Sequence, residues 1–407
     1  MKINRSTKCS LKFATNHKQE ELQNVLSEYG RVVNIFINHF WKNGLIPKAE
    51  LLKPIVDIPE TWLSARLRKV AAREALDMIK SVQEVFDSNK KQLQLSISAI
   101  ESKLKSLTPD TKKDRRKINN LHCALRDKRN KISMMLPQKP KHKGKRMSIS
   151  CTIGELQEIK NETTEFDAWL HLASIGNKLK LDLPIKFHKH FRELNQKAKR
   201  VNAYIVTKDY VQFCFERETG PKKEVESLIG IDTGINALAS LSTGEQLGLD
   251  VKEHISRIKR CKWGSKGHKR ASNALKQRIC EVAKETIRDV DLVVVEKLKN
   301  LCNNTKLKGR LSQTIRSSIG SWNYSYWLKR LEMCCEESRT SFRTVSPYHT
   351  SQRCFQCGFT NRANRNGELF RCQSCNHTGN ADINAALNIL ERFVTGPYGA
   401  CYKPVSL

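Results

Sequence analysis

The sequence predicts a multidomain protein in which a helical region and a β-rich region precede a mixed α/β layer. Three observations predict this order. Apolar residues recur at helical spacing over 17–136, and they alternate with a period of two over much of 147–215. From about residue 226, short aliphatic runs end in acidic residues. A chain of 407 residues is long enough for several domains with their own cores.

The chain is strongly basic. Its formal net charge is +32, from 73 Lys and Arg against 41 Asp and Glu. A compact protein with this excess repels itself unless a polyanion neutralises it, so we expect a nucleic acid partner and salt-dependent binding. No apolar run is long enough to cross a membrane, and the first residues lack the apolar core of a signal peptide. These two observations predict no membrane partner. The fourteen cysteines show no disulfide framework, which indicates a reducing cytoplasm.

The N-terminal half begins with a strand and continues with helices. Residues 8–15 alternate like one short strand, and Asn16 with Gln19 resembles a capping box that opens the first helix. A second long helix is predicted at about 60–89. A third segment, about 92–135, breaks at Thr108-Pro109-Asp110, where Thr would cap and Pro would open the second arm of a helical hairpin.

A basic linker, Pro137–Arg146, separates the helices from the β-rich region, because its Pro and Gly residues prevent a continuous helix. The strands predicted after it are 147–153, 168–173, 178–185, 203–207 and 210–215, with turns at 175–177 and 208–209. These strands predict a small β-barrel, which the N-terminal strand could close.

From about residue 226 the pattern changes to buried strands joined by helices. Leu228–Asp232 and Asp291–Glu296 are aliphatic runs that end in an acid, and Ala237–Ser242 begins a strand between them. The remaining elements are a basic helical stretch at 252–288, a helix near 321–338, a strand at 342–345 and a last helix after residue 380. Strand–turn–strand, helix, strand, helix is the order of an RNase H-like α/β layer.

Four cysteines form two C-x-x-C pairs separated by fourteen residues, namely Cys354, Cys357, Cys372 and Cys375. Zinc takes four ligands in a tetrahedron, and each C-x-x-C turn delivers two sulfurs, so the pattern predicts one structural Zn²⁺ in a closed ribbon site. The alternatives are four unligated thiols, or two disulfides as in a secreted protein. We expect His377 at the surface, because four sulfurs already complete the site.

Three acids stand out by position. Asp232 and Glu296 could be strand-edge acids turned to solvent, and Asp382 could simply cap the last helix. Acids at the ends of buried strands are costly, however, unless they are paired or bind metal. Phosphodiester hydrolysis can use two Mg²⁺ about 4 Å apart. The sequence therefore predicts that Asp232, Glu296 and Asp382 are the catalytic residues that hold two Mg²⁺ in an enzyme that hydrolyses phosphodiester bonds.

These motifs resemble the TnpB family of transposon-associated RNA-guided nucleases, which are related to the compact type V CRISPR effectors. The matching segments are Gly230–Gly234, Val294–Leu298, Ser321–Tyr324, Thr350–Gly358 and Asp382–Ala386. The specific match covers roughly 228–395, whereas the N-terminal half fits only in layout. The family often has Leu where this chain has Thr233 and Asp where it has Lys297, but neither residue is a predicted metal ligand.

The resemblance implies a single RuvC site that cuts both strands of a target double-stranded DNA. A guide RNA, either a noncoding transposon-derived RNA or a CRISPR RNA, would open the duplex by pairing, and the protein would recognise a short flanking DNA motif. We expect a prokaryotic, nucleoid-associated particle with one protein chain. The expected nucleic-acid contacts are Lys139, Lys141, Lys143, Lys145 and Arg146 to phosphates, and Arg353 to the substrate strand.

The resemblance also divides the chain into domains. The expected segments are the first strand of a wedge-type β-barrel at 1–16, a helical recognition lobe at 17–136, the barrel at 137–225, the RuvC nuclease domain at 226–349, the zinc ribbon at 350–378, the C-terminal RuvC helix at 379–395 and a tail at 396–407. The zinc ribbon would bind target nucleic acid and fix the loop that carries Asp382.

Other functions share some of these features. A miniature type V CRISPR effector has the same machinery, and only neighbouring genes would separate it from a transposon-encoded nuclease. An RNase H-like DNA strand-transferase shares the acidic triad but needs no guide RNA. A non-cleaving guided binder would usually have lost one of the acids, and a basic zinc-ribbon RNA-binding protein would leave Asp232 and Glu296 unexplained.

Overall fold

The computed structural model describes residues 2–159, 164–174, 179–298 and 323–396. The chain forms two compact units, an N-terminal unit of Lys2–Arg217 and a C-terminal unit that begins at Glu218. Within the described ranges, no helix combines the length and apolar character that a membrane span requires. The predicted turn at 175–177, residues Ser321 and Trp322, and the predicted tail beyond residue 396 lie outside the described residues.

Long helices in the N-terminal unit bury the apolar stripes seen in the sequence. The helices are α1 (Asn16–Asn43), α2 (Lys53–Val56), α3 (Ala65–Lys105), α4 (Lys112–Ser133) and α5 (Lys189–Lys197). The N-cap of α1 is Thr15, whose hydroxyl accepts from the Lys18 N–H, so the capping box expected at Asn16 was wrong by one residue. Gln19 instead donates its amide to the Ala14 carbonyl.

The helical hairpin also differs in its boundaries. No break occurs near residue 90, because Asn89-Lys90-Lys91 contains neither Pro nor Gly and α3 continues to Lys105. The second arm, α4, begins at Lys112 with Thr111 as its N-cap, so Thr108 and Pro109 lie in the connection. An ion pair between Arg129 and Glu101, 2.7 Å apart, joins the two arms.

The strands of the N-terminal unit form two sheets. One has the order β1-β7-β6-β2 and the other the order β3-β4-β5. Their bounds are β1 Lys2–Ser10, β2 Arg146–Ser150, β3 Gly154–Glu158, β4 Ala168–Ala173, β5 Lys180–Ile185, β6 Lys199–Thr207 and β7 Tyr210–Glu218.

The predicted barrel is not confirmed, since these described strands do not close on one another and only an isolated bridge, Ser10 to Lys186, lies between the two sheets. The N-terminal strand does join a sheet, but it spans residues 2–10 rather than 8–15, with Ile3, Thr7 and Cys9 buried. One apolar core combines α1 and α3 with strands of both sheets.

A five-stranded sheet organises the C-terminal unit, in the order β10-β9-β8-β11-β12. Its strands are β8 (Leu228–Asp232), β9 (Ala239–Leu241), β10 (Gln246–Leu247), β11 (Leu292–Glu296) and β12 (Ser341–Val345). β11 lies parallel to both β8 and β12, whereas β9 is antiparallel to β8 and β10. The aliphatic runs were correctly predicted as buried strands of this sheet.

The helices of this unit pack against the sheet and against each other. They are α6 (Val251–Arg260), α7 (Lys266–Thr286), α8 (Tyr324–Ser338) and α9 (Ala381–Thr395). The helical stretch expected at 252–288 is two helices. The chain leaves α6 at Cys261, turns at Gly264 with φ +76°, and begins α7 with Ser265 as N-cap.

Between β12 and α9 the chain forms a small three-stranded antiparallel sheet. Its strands are β13 (Arg365–Asn366), β14 (Leu369–Arg371) and β15 (Thr378–Asn380). The short hairpin expected between the cysteine pairs is β13–β14, which turns at Gly367 with φ +62°. β15 leads directly into α9, so the cysteine-bearing segment is continuous with the helix that carries Asp382.

Candidate active site

Asp232 and Glu296 lie side by side at one edge of the five-stranded sheet. Ile231 of β8 is the register partner of Val295 of β11, and each acid is the next residue of its strand. Because the two strands are parallel, their carboxyl ends meet at the same edge. This pairing brings together two residues that are separated by more than sixty positions in the sequence.

Asp382 reaches the same edge on α9. The N-cap residue Asn380 accepts from the N–H groups of Asp382 at 2.9 Å and Ile383 at 3.1 Å, which fixes the first turn of the helix. One turn further on, the helix backbone at Ala386 passes directly over Gly230 of β8. The carboxylate of Asp382 therefore lies beyond the carboxyl end of β8, next to Asp232.

The other two carboxylates perturb Asp232. Burial, together with the negative charges of Glu296 and Asp382, raises the pKa of Asp232 to about 8, although Arg365 and the Thr233 N–H oppose the shift. Burial also raises the pKa of Glu296, which is 9% exposed, against the opposing effects of the Thr350 hydroxyl, Arg392 and Arg365. Crowded carboxylates of this kind are stabilised when a divalent cation neutralises them, and an all-oxygen ligand set suits Mg²⁺.

Several partners of the acids were missed from the sequence. Arg365, in β13, donates to the Asp382 carboxylate at 2.6 Å, and the Thr350 hydroxyl donates to Glu296. The guanidinium of Arg392 contributes a further positive charge near Glu296 and donates to the Ser346 carbonyl at 2.5 Å. No residue spacing in the sequence indicates these contacts, because each depends on how the cysteine-bearing segment folds back onto the sheet.

Asp232 and Asp382 line a cleft of about 700 Å³. One wall is formed by α6, which contributes Lys252, Ser256 and Lys259, and Arg365 lies at the acidic end. A cleft with carboxylates at its base and cations on its walls can attract a phosphodiester backbone and still hold divalent cations. Two of the three predicted acids line this cleft, and the catalytic role of the triad remains a proposal.

The four predicted zinc ligands are brought together. The sulfurs of Cys354, Cys357, Cys372 and Cys375 all lie within 4.8 Å of one another. The Cys354–Cys375 and Cys357–Cys372 sulfur pairs are 3.7 and 3.5 Å apart. A tetrahedron with Zn–S bonds of about 2.3 Å requires sulfur separations of roughly 3.8 Å, so the arrangement fits zinc. Among the residues described, no other group of three or more Cys, His, Asp or Glu side chains meets this distance.

The surroundings of the cysteines determine how readily each thiol gives up its proton to a metal. Burial alone raises the pKa of the Cys372 thiol, but N–H groups of Cys375 and Ser374 and the neighbouring thiols lower it, to about 7. Burial raises the pKa of Cys354 and Cys357, so these thiols stay protonated unless a metal replaces the proton.

We expect Cys372→Ser to release the zinc and to lower the free energy of unfolding of the C-terminal unit by about 3 kcal/mol, or roughly 10 °C in Tm. Metal analysis of the purified protein should give one zinc per chain in the parent and none in the variant. Cys123→Ser is the matched control, since Cys123 is exposed on α4 and should leave zinc content and Tm unchanged. Equal zinc content in parent and Cys372→Ser would contradict the assignment.

Arg353 was expected to contact the substrate strand, and the structure corrects this. Its side chain is 1% exposed, and the guanidinium donates to Asn388 at 2.6 Å and to both carboxylate oxygens of Glu391. The Asn388 amide in turn donates to the carbonyls of Thr350 and Arg353. Arg353 therefore attaches the first cysteine knuckle to α9. The adjacent Cys354–Cys357 turn is fixed in the same way by Asn384, which accepts from the Phe355 N–H at 3.0 Å.

The basic linker belongs to the N-terminal unit. Its residues Lys139, Lys141, Lys143, Lys145 and Arg146 are all exposed. Between these cations, His142 is buried. Its N–H donates to the side-chain oxygen of Asn34 at 2.8 Å, and the Asn34 amide donates to the His142 carbonyl at 2.9 Å. Two linker cations already have protein partners, since Lys139 donates to Asn38 and Arg146 pairs with Glu74. Phosphate binding by this linker remains a prediction.

Residues 324–389 match the family model described as Cas12f1-like, TNB domain. The Escherichia coli K12 protein InsQ is named as a candidate RNA-guided DNA endonuclease. It is 27% identical to this chain over 212 residues, and the alignment covers 44% of this chain and 53% of InsQ. The CRISPR-associated endodeoxyribonuclease Cas12f1 of Sulfoacidibacillus thermotolerans is 36% identical over 72 residues, 17% of each chain. The alignments thus span about half the length of InsQ and less of Cas12f1.

Among solved structures, the mini-RNA-guided endonuclease CRISPR-Cas_phi3 has a similar fold, with a TM-score of 0.52 and 10% sequence identity. The similarity covers 96% of this chain and 92% of that one.

Fold and site together define a multidomain α/β protein with a four-cysteine site suited to zinc and a crowded carboxylate cluster. The sequence matches confirm that this chain resembles the TnpB family of RNA-guided nucleases and the related Cas12f1 proteins.

Proposed function

We propose that this protein is an RNA-guided DNA endonuclease that cleaves double-stranded DNA at a single RuvC site containing Asp232, Glu296 and Asp382. The observation that carries the proposal is that Asp232 and Glu296 end neighbouring parallel strands while Asp232 and Asp382 line one basic-walled cleft. Burial and the charges of Glu296 and Asp382 raise the pKa of Asp232 to about 8. Such perturbed acids in a cleft are typical of functional sites. The InsQ and Cas12f1 names support nuclease activity directed by RNA.

The sheet supports an RNase H-like domain. Numbered within the C-terminal unit, the strands run in the order 3-2-1-4-5, with the second strand antiparallel to the others, which is the arrangement of RNase H-like nucleases. The acids lie at the carboxyl ends of the two central strands and on the helix that crosses them, so the fold itself forms the site. The domain boundaries expected from the sequence are part of this proposal.

In the proposed reaction Asp232, Glu296 and Asp382 would hold two Mg²⁺, which would supply an activated water and stabilise the leaving oxygen of the displacement. Asp232 must lose its proton before it can act as a ligand, because its pKa in the metal-free protein is about 8. The Thr350 hydroxyl fixes one Glu296 oxygen and leaves the other for binding. Arg365, which pairs with Asp382, supplies a cation where the scissile phosphate would lie.

The N-terminal unit would bind the guide RNA and its heteroduplex by backbone charge and shape. Its linker is suited to this role, because His142 is anchored to α1 while Lys139, Lys141, Lys143 and Lys145 remain exposed on alternate positions. The protein would also recognise a short DNA motif that flanks the target, and each particle would contain one protein chain. The guide would be a transposon-derived RNA or a CRISPR RNA. The neighbouring genes would show which of the two it is.

The test is to purify the protein after expression with its flanking DNA and to sequence the RNA that accompanies it. A defined RNA with a variable end is expected, and the particle should cut a DNA duplex that matches this end when Mg²⁺ is added and stop when the metal is chelated. Protein that carries no specific RNA but joins its own element ends to target DNA would overturn the proposal in favour of a strand-transferase.

A further inference from the structure

An exposed tryptophan lies in the turn between α6 and α7. The side chain of Trp263 is 85% exposed, the largest exposed fraction among the large apolar side chains in the part of the chain that the structure describes. Its position is restrained, since the ring packs on His268 with centroids 4.6 Å apart, and His268 lies in the first turn of α7, where its N–H donates to Ser265. The turn therefore presents a fixed aromatic face to solvent.

The charge around this tryptophan indicates what covers it. Residues 252–270 contain eight Lys and Arg and one acid, Glu253. An isolated exposed apolar side chain is common, but one that is held in place among so many cations is suited to a polyanion with aromatic rings. Single-stranded nucleic acid meets both requirements, because its bases stack on an aromatic side chain while its phosphates pair with the cations.

The same element leads into the acidic cleft. Lys252, Ser256 and Lys259 of α6 line the cleft that contains Asp232 and Asp382. These three residues are four and then three positions apart, so they form one row along a single face of the helix. The row is about 10 Å long and ends near the turn with Trp263, which corresponds to roughly three stacked nucleotides. Cleft, basic row and exposed ring thus form one continuous track within the C-terminal unit.

We propose that Trp263 is a stacking platform for a base of the DNA strand that enters the acidic cleft, about two to four nucleotides from the scissile phosphate. The row on α6 carries the intervening phosphates, and the ring fixes the register of the strand in the cleft. This inference rests on the proposed function in one respect, that the strand in the cleft is DNA to be cut.

The test measures binding without cleavage. The purified full-length protein with its accompanying RNA is titrated with a fluorescent oligothymidylate of about 12 nucleotides in chelator. Trp263→Ala should weaken binding about tenfold, and Trp263→Phe, which keeps an aromatic ring, should bind nearly as tightly as the parent. Trp62→Ala is the control, because Trp62 is also exposed but lies in the N-terminal unit. Equal affinity of parent and Trp263→Ala for the oligonucleotide would overturn the inference.

A second measurement locates the base. Oligonucleotides with a single 5-bromodeoxyuridine at successive positions are irradiated on the metal-free particle, and the crosslinked peptide is identified by mass spectrometry. Crosslinking to the peptide that contains Trp263 is expected only two to four nucleotides from the cut. If no position of the DNA crosslinks to this peptide, the inference fails. If DNA crosslinks and binds as expected but is never cut with Mg²⁺, only the proposed nuclease activity fails.

Discussion

Asp232→Ala should reduce the rate of DNA cleavage by about 10³-fold or more while leaving binding of the RNA and of the target DNA measurable. The charges of Glu296 and Asp382 already raise the pKa of this carboxylate, and its removal would take away one of the proposed metal ligands. The measurement is single-turnover cleavage of a matched duplex beside a filter-binding assay on the same particle. Cleavage by the variant near the parental rate would refute the assignment.

Glu245→Gln is the matched control, since Glu245 is an exposed acid in the turn between β9 and β10 of the same unit and should leave cleavage unchanged. Asp232→Asn separates chemistry from folding. The folded protein holds the Asp232 proton with a pKa of about 8 against an ordinary value of 3.8, so the parent loses stability as pH rises between these values. In chelator, Asp232→Asn should lose less stability than the parent over this range, so its inactivity would not reflect unfolding.

Much of the site could be predicted from the sequence because local patterns encode it. The runs Leu228–Asp232 and Leu292–Glu296 are apolar up to a terminal acid, which identifies central strands and the edge where their acids meet. The C-x-x-C spacing likewise determines the zinc ligands before any fold is known. In each case, residues close together in the sequence indicate both the local structure and the side chains that would bind a metal.

The rest depends on long-range packing that no local pattern encodes. Arg353 looked like a substrate contact because it is a cation beside the ribbon, but α9 buries it against Glu391 and Asn388. Arg365 carries no local signal in the sequence, yet it pairs with Asp382. Whether the N-terminal strands close into a barrel depends on pairing between sheets, which alternation within single strands does not determine.

Gly230 shows how closely the site depends on one backbone contact. α9 lies so near β8 at this point that a Cβ on Gly230 would be 2.8 Å from the Leu390 nitrogen and 2.9 Å from its Cβ, and closer still to the Ala386 carbonyl oxygen. Only a glycine permits this approach, and the approach places Asp382 beside Asp232. The carboxylate cluster therefore requires glycine at position 230, two residues before Asp232.

Gly230→Ala should accordingly destabilise the C-terminal unit by roughly 3 kcal/mol or more, because the methyl group meets helix backbone, which cannot rotate away as a side chain can. Cleavage should be lost with it, since α9 must shift and carry Asp382 out of reach of the other acids. Thermal unfolding and single-turnover cleavage measure the two effects. Gly267→Ala is the matched control, since its Cβ would meet nothing closer than 3.7 Å and the new residue favours helix α7. A Gly230→Ala protein with parental Tm and cleavage would show that α9 does not rest on β8 as described.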